Sequence, residues 1–415
     1  MDANAHYIER LIAPVIREAL LDTPVVCLLG PRQSGKTTLT KKLAPDRLFV
    51  SLDESNYLRA ARADPAGFVD SLPNPVTLDE VQHVPELLPL IKLSVDNDRV
   101  AGRFMLTGSA NLLLLPKVTE SLAGRMEIVQ LHPLSEAEKS GTKGKFLHNL
   151  LSGRLKPNIK PQRGTKASTW VERLVAGGYP EPLKRTPSRA RQWYRQYLRS
   201  IIERDVRDVA RLRDANELAR LLELLALRSG ELLNVSGLSS ELGLTRETVD
   251  RFLAVLERLF LIRRLPAWHR NQAKRLIKTP KVHLVDSGLA STLAGVRGDE
   301  SFSKRVLMGH LLESFVVQQL MAQAGWTDPD LRFWHYRDKD QVEVDVVITR
   351  GSKTWGIEIK ASQSLTNKDG QGLIRLAERC GNDFERGVLF YSGQDTLQMA
   401  DKRLIAVPLS ELWTV

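Results

Sequence analysis

The sequence predicts an α/β fold at both ends of the chain, with a helical region between them. Three observations carry that expectation. From residue 24 to about 138, short apolar runs alternate with helical stretches, the pattern of a parallel sheet covered by helices. Residues 170–265 keep helical periodicity, and from 307 onward the order reads helix, strand, strand, helix, strand. At 415 residues the chain is too long for one core and long enough for two or three domains. The expected divisions are a core at 1–138, a basic linker at 139–169, a helical region at 170–280 and a C-terminal α/β domain at 281–415. No internal repeat is visible.

Composition narrows the class. No stretch reaches the roughly 18 uncharged apolar residues of a membrane span, so no membrane partner is expected. The opening "MDANAHYIERLIAP" starts acidic and leads into an amphipathic helix over 1–22, unlike a secretory signal. Cys27 and Cys380 stand far apart without metal-type spacing, which suits a reducing, cytoplasmic setting. The net charge of +11 points toward a polyanionic partner such as nucleic acid.

The first chemistry-bearing stretch is "GPRQSGKT" at 30–37, which fits G-x-x-x-x-G-K-[ST]. The apolar run "PVVCLLG" enters it as a strand and "TTLTKKLA" leaves it as a helix. Gly30 and Gly35 allow a tight path, and Pro31, Arg32, Gln33 and Ser34 complete the loop. Its backbone N–H groups and the helix N-terminus, including Thr38, would bind phosphate oxygens. Lys36 would reach the terminal phosphates of ATP, and Thr37 would give a hydroxyl to Mg²⁺.

"PVTLDE" at 75–80 is an apolar strand ending in two carboxylates. Asp79 would hold the Mg²⁺, and Glu80 would orient the attacking water as general base. "GRFMLTGSAN" at 102–111 puts Thr107, Ser109 or Asn111 where a residue would sense the γ-phosphate. Arg125, in "ESLAGRMEIVQLHPLS", precedes a further strand. It would either neutralise charge on the transferring phosphoryl, in its own subunit or a neighbour's, or sit in a surface turn.

Together, "GPRQSGKTT", "TLDEVQHVPELLPLIK", "LTGSANLLL" and "ESLAGR…LHPLSEAE" resemble the prokaryotic AAA-type ATPases (AAA_14) that carry a C-terminal DUF4143 domain. "GGYPEPL", "RSIIERDV", "KTPKVHLVDSGLA" and "GHLLESFVVQQL" continue the resemblance downstream. It implies a P-loop AAA-type ATPase domain and, by analogy, a homo-oligomer such as a hexamer, in which one subunit's arginine completes the next subunit's site.

The segment 139–169 holds eight Lys or Arg and no carboxylate, and reads as a mobile linker or a phosphate contact. Residues 234–245 and 246–262 form two amphipathic helices with Gly243 at the turn, the outline of a winged helix-turn-helix. Arg246 and Arg251 lie on the open face of the second helix with Glu247 and Asp250, which leaves DNA contact and protein docking both open. Arg191, Arg195 and Arg199 recur every four residues along one helical face. That stripe would track phosphates, face solvent or meet another subunit.

At 343–361, "EVDVVITRGSKTWGIEIKA" reads as a hairpin. Glu358 and Lys360 share a strand face, Asp345 lies across from them, and Glu313 precedes them on a helix. Carboxylates so placed bind Mg²⁺, and the lysine activates water for phosphodiester attack. The arrangement resembles the PD-(D/E)xK nucleases, which implies a restriction-endonuclease-like domain. The whole sequence thus predicts an ATP- and Mg²⁺-dependent ATPase acting on DNA, with a nuclease site. The alternative is a nucleotide-dependent switch with a protein partner and an inert nuclease-like domain.

Overall fold

The computed structural model describes residues 7–110, 122, 124–159, 169–205, 215–270, 278–298, 305–366 and 368–414. The chain forms two compact units. The first comprises Glu9–Pro133 with Ala254–Leu261; the second comprises Leu134–Leu253 and Ile262–Val415, together with residues up to Ile8.

In the first unit, β1 (Val25–Leu29) and β4 (Phe104–Gly108) are buried along their whole length, as central strands covered on both faces must be. Around them run β2 (Leu48–Ser51), β3 (Val76–Asp79) and β5 (Met126–Gln130), in the order β2-β3-β4-β1-β5 with every pair parallel. Parallel strands need crossover helices. α1 (Ala13–Asp22) precedes β1, and the crossovers are formed by α2 (Lys36–Leu43), α3 (Ser55–Ala63), α4 (Pro65–Asp70) and α5 (Leu87–Asn97). Leu29, Leu78, Ile91, Leu106 and Phe260 share one core. The expected helix over 1–22 is shorter: it begins at Ala13, with Pro14 in its first turn where a missing N–H costs nothing.

The second unit contradicts the expected linker. Residues 139–159 fold. A capping box between Ser135 and Glu138 starts α6 (Glu136–Ser140), and α7 (Phe146–Leu151) buries Phe146, Leu147 and Leu150. The Phe146 ring lies 4.9 Å from that of Phe390, and the Leu147 N–H donates to Gln323 Oε1 at 2.9 Å. Three apolar residues on one helical face outweigh the cations around them. Residues 160–168 lie outside the described residues.

Then come α8 (Trp170–Ala176) and α9 (Pro187–Ser200). The buried face of α9 stacks Trp193, Tyr194 and Tyr197 with Tyr179. The "GGYPEP" stretch meets "VDSGLA" where the Gly178 N–H donates to Asp286 at 2.7 Å. These phrases therefore build core contacts.

The stretch read as a winged helix-turn-helix forms α10 (Ala215–Leu227), α11 (Val235–Leu242) and α12 (Arg246–Arg258), with Gly243 left-handed at φ 68° between the last two. Its wing pairs β6 (Ile262–Leu265) antiparallel with β7 (Lys281–Leu284). The division expected at 280 cuts this pair, so β7 belongs to the wing. α13 (Ser287–Leu293) follows.

The long α14 (Arg305–Thr327) leads into a mixed sheet of β8 (Arg332–Arg337), β9 (Glu343–Arg350), β10 (Lys353–Ile359), β11 (Phe384–Tyr391), β12 (Leu397–Gln398) and β13 (Leu404–Pro408). Their order is β12-β13-β11-β10-β9-β8, with α15 (Gln371–Cys380) after β10. The expected hairpin is β9–β10. The strands β8, β12 and β13 are additional to the expected order, with β8 and β12 at the two edges of the sheet.

Candidate functional site

The phosphate loop follows β1 at the C-terminal end of the parallel sheet. The Gly30 N–H donates to Gly108 O at 3.2 Å. A Cβ at Gly30 would lie 2.2 Å from Leu131 O, so only glycine fits. Gly35 turns the chain at φ 97°, a conformation that a side chain disfavours. Lys36, 3 % exposed, bends back over the loop and donates to Gly30 O at 3.0 Å and Pro31 O at 3.1 Å. Ser34 Oγ is buried without a hydrogen-bond partner.

A residue absent from the sequence reading holds this loop. Buried Arg10 donates to Ser34 O at 2.8 Å and to His132 O at 2.6 Å. Its contacts span 24 and 122 residues, which no local pattern reveals.

Asp79 ends β3 beside the loop. Thr107 Oγ1 donates to its Oδ1 at 2.6 Å, and Thr37 Oγ1 lies 3.2 Å from the same oxygen. Burial raises the Asp79 pKa and the Glu80 charge adds to it, while the Thr107, Thr37 and Lys36 contacts oppose the rise. Glu80 takes the left-handed region at φ 59°. Its carboxylate accepts from the Ser109 N–H at 3.1 Å and from Gln82 Nε2, while its own N–H donates to Thr107 Oγ1 at 3.1 Å. Thr107 is therefore bound to the Asp79 carboxylate and Ser109 to that of Glu80. The hydroxyl of Thr37 next to Asp79 is a hard-oxygen set that fits Mg²⁺, and the cradle of Gly30, Gly35 and Lys36 fits a polyphosphate.

Arg125 does not join this site. It stands just before β5, and its carbonyl accepts from the N–H of Val25, at the opposite end of β1 from the loop. A five-residue strand spans roughly 17 Å. Its guanidinium is paired to Asp96, with Nη2 at 3.0 Å from Oδ2. The expectation of an arginine acting on its own subunit's phosphates is thus corrected by the direction of the strands. Asn111 lies outside the described residues.

The second cluster lies in the second unit, around a cleft of about 940 Å³ lined by Arg228, His310, Glu313, Arg337, Asp345 and Lys360 among others. Asp345 accepts the Ile359 N–H at 2.9 Å, and Lys360 Nζ stands 2.8 Å from Glu358 Oε1. Glu358 Oε2 is buried with no hydrogen-bond partner. Two further residues enter that the sequence reading omitted. Lys281, 4 % exposed, places Nζ 2.8 Å from Glu313, 3.6 Å from Asp345 and 3.8 Å from Glu343. Glu343 is also held by Arg337 at 2.9 Å. Burial works against the Lys281 ammonium, but Glu313, Asp345 and Glu343 outweigh it and raise its pKa above the ordinary lysine value. Burial likewise raises the carboxyl of Glu313, with Asp345 adding to the rise and Lys281 opposing it. The nuclease reading needs a divalent ion among Glu313, Asp345 and Glu358. With an ammonium seated between Glu313 and Asp345, these residues as arranged do not fit one.

The arginines expected to meet DNA lie on helices of the second unit. On α9, Arg195 and Arg199 are exposed and Arg191 is half-buried; Arg199 pairs with Glu203 at 2.7 Å. On α12, Arg246, Glu247, Asp250 and Arg251 are all exposed, and Arg251 leans over the Phe252 ring.

The loop, the strand order and the Asp79–Glu80 pair define an AAA-type P-loop ATPase fold. Residues 22–139 match the family AAA_14, described as an AAA domain, and residues 308–412 match a domain of unknown function, DUF4143. Residues 167–300, which hold the winged helix, match a further domain of unknown function, DUF8612. An uncharacterized protein of Mycobacterium tuberculosis is 27% identical over 402 residues, 96% of this chain and 83% of that one. Among solved structures, the Walker-type ATPase of Pyrococcus abyssi is similar at 17% identity and TM-score 0.40, over 70% of this chain and 99% of that one. The RuvB Holliday junction branch migration motor of Thermotoga maritima is similar at 17% identity and TM-score 0.27, over 64% and 92%. Among the described residues, no helix is long and apolar enough to cross a membrane.

Proposed function

We propose that this protein binds and hydrolyses ATP and uses the cycle to act on DNA. The observation that carries the hydrolytic half is the hydrogen-bonded group of Asp79, Thr37 and Thr107 beside a phosphate loop whose lysine donates to the Gly30 and Pro31 carbonyls. Lys36 would leave Gly30 O and Pro31 O for phosphate oxygens, a charge-assisted contact stronger than a carbonyl contact. Asp79 and Thr37 would hold Mg²⁺, which supplies charge neutralisation on the phosphates when bound. Glu80, fixed by the Ser109 N–H and Gln82, would orient the water and take its proton. Thr107 and Ser109 would carry the state of the nucleotide to both carboxylates. Arg125, far from its own loop, would serve a neighbouring subunit in a ring, with a hexamer as the working assembly.

For DNA, the support is the winged helix together with Arg191, Arg195 and Arg199 on α9 and Arg246 and Arg251 on α12. A second reading, a nucleotide-dependent switch that docks a protein, is favoured by Glu247 and Asp250, which share the exposed face of α12 with those arginines. ATP turnover by the purified protein, without DNA and with single strands, duplex, a fork and a four-way junction, separates them. Stimulation by one form supports the DNA reading and names its substrate. Equal turnover in all five removes it in favour of the switch.

A further inference from the structure

The second unit holds a carboxylate cluster whose expected occupant is a divalent metal, yet a side chain of the same chain stands in it. We propose that Lys281 is the resident cation of this cleft: its ammonium takes the position that the nuclease reading gives to Mg²⁺, so the C-terminal domain binds no divalent ion there and does not cut DNA.

The geometry is specific. Nζ lies 2.8 Å from Glu313 Oε1, 3.6 Å from Asp345 Oδ1 and 3.8 Å from Glu343 Oε2, within reach of carboxylates on α14 and on β9. Mg²⁺ requires oxygens at roughly 2.0–2.1 Å in a near-octahedral set. An ion bound to Glu313 and Asp345 at that distance would be pressed against the ammonium, a repulsion that the shielded interior strengthens. The two cations are therefore alternatives.

The neighbouring cations are paired as well: Lys281 with Glu313, Arg337 with Glu343 and Lys360 with Glu358.

The position is also built. Lys281 sits on β7, opposite Leu265 across the wing pair, and its backbone bridges Leu232 on the other side. Its stem is enclosed, and His283, two residues along and so on the same face, reaches Ser314 on α14 at 2.9 Å. Two consecutive inward side chains of β7 are thus fastened to adjacent residues of α14. An ammonium delivered by a paired strand is not a surface lysine that strayed inward.

The test uses the full chain without nucleotide, titrated with Mn²⁺ and read by loss of the free-ion paramagnetic resonance signal. Four proteins are compared: the natural chain, Asp345→Asn, Lys281→Met, and Lys281→Met with Asp345→Asn. The expected result is no difference between the natural chain and Asp345→Asn. Lys281→Met should gain Mn²⁺ affinity on the order of tenfold or more, the scale on which neighbours of a metal site act, and the double variant should lose that gain. Mn²⁺ binding by the natural chain that Asp345→Asn abolishes would overturn the proposal, as would Asp345-dependent nicking of supercoiled plasmid. A Lys281→Met protein that melts cooperatively yet gains no Mn²⁺ would overturn it too. Should Lys281→Met fail to fold, the first comparison still decides. Neither outcome touches ATP turnover, which rests on other residues.

Discussion

Two buried lysines, one in each unit, show how the same side chain can prepare a site or close it. Lys36 and Lys281 are 3 % and 4 % exposed, and each donates a hydrogen bond near 3 Å. Lys36 rests on two backbone carbonyls; Lys281 rests on the Glu313 carboxylate with two further carboxylates close by. A carbonyl holds an ammonium less tightly than a phosphate oxygen does, so an arriving phosphate displaces it at a gain. Carboxylate partners satisfy the ammonium, so an arriving ligand has a settled ion pair to break. The surroundings of a motif lysine therefore report whether it awaits a ligand.

The sharpest way to break this contrast is Lys36→Ala. Turnover measured by phosphate release should fall by roughly 10²–10³-fold, the cost of losing one pre-aimed charge contact to a developing anion. Thermal melting should stay near that of the natural chain; normal turnover would remove the phosphate-loop assignment.

Next in size is Lys281→Met. It removes the cation that buried Glu313 is paired to and should cost about 3–5 kcal/mol of unfolding free energy in urea titration, the penalty for halving a buried ion pair. Adding Glu313→Gln should restore more than half of that loss, because the most buried of the carboxylates then carries no charge. No recovery in the double variant would mean that the pair is not a unit.

The third effect is acid sensitivity confined to the second unit. Burial pushes the His335 pKa down from 6.5 to about 4, and the nearby cations Lys281, Lys278 and Arg337 act in the same direction. The unfolded chain therefore binds more protons than the folded one between these values. Stability is fully present above pH 6.5, declines as pH falls, and levels off near pH 4. At 1.36 kcal/mol per pH unit, this one group accounts for about 3 kcal/mol. His283, buried in the same unit, is shifted the same way. Melting of the natural chain and of His335→Gln, followed by a tryptophan of the second unit such as Trp355 against pH, checks it; an equal fall in both from pH 7 to 4 would contradict it.

The smallest effect falls on the exposed arginines. Arg195→Ala should leave melting unchanged and lower the slope of log affinity for duplex DNA against log salt by about 1. An unchanged slope would remove α9 from the DNA surface.

What the sequence disclosed follows from how local each signal is. The phosphate loop is eight contiguous residues between a strand and a helix, and Asp79 and Glu80 end an apolar strand, so both were legible. The pairing of Glu358 with Lys360 follows from strand alternation. Arg10 was not legible, because its partners Ser34 and His132 are far along the chain. Lys281 was hidden by the same distance and by its neighbours: "KTPKVHLVDSGLA" looks like the start of the last domain, whereas β7 closes the wing. Residues 139–159 were misread because eight cations in the wider stretch drew more weight than the apolar face of Phe146, Leu147 and Leu150. The direction of β5, which puts Arg125 at the far end of the sheet, needs the strand order to be known.

The wing pair also carries a practical warning. β7 lies in the stretch matched by DUF8612, whereas Glu313, Glu343 and Asp345 lie in the stretch matched by DUF4143. Cutting the gene at that family boundary would produce a fragment with the acids and without their counterion. Such a fragment would collect divalent ions that the intact chain refuses, and an assay performed on it would credit the protein with chemistry created by the scissors.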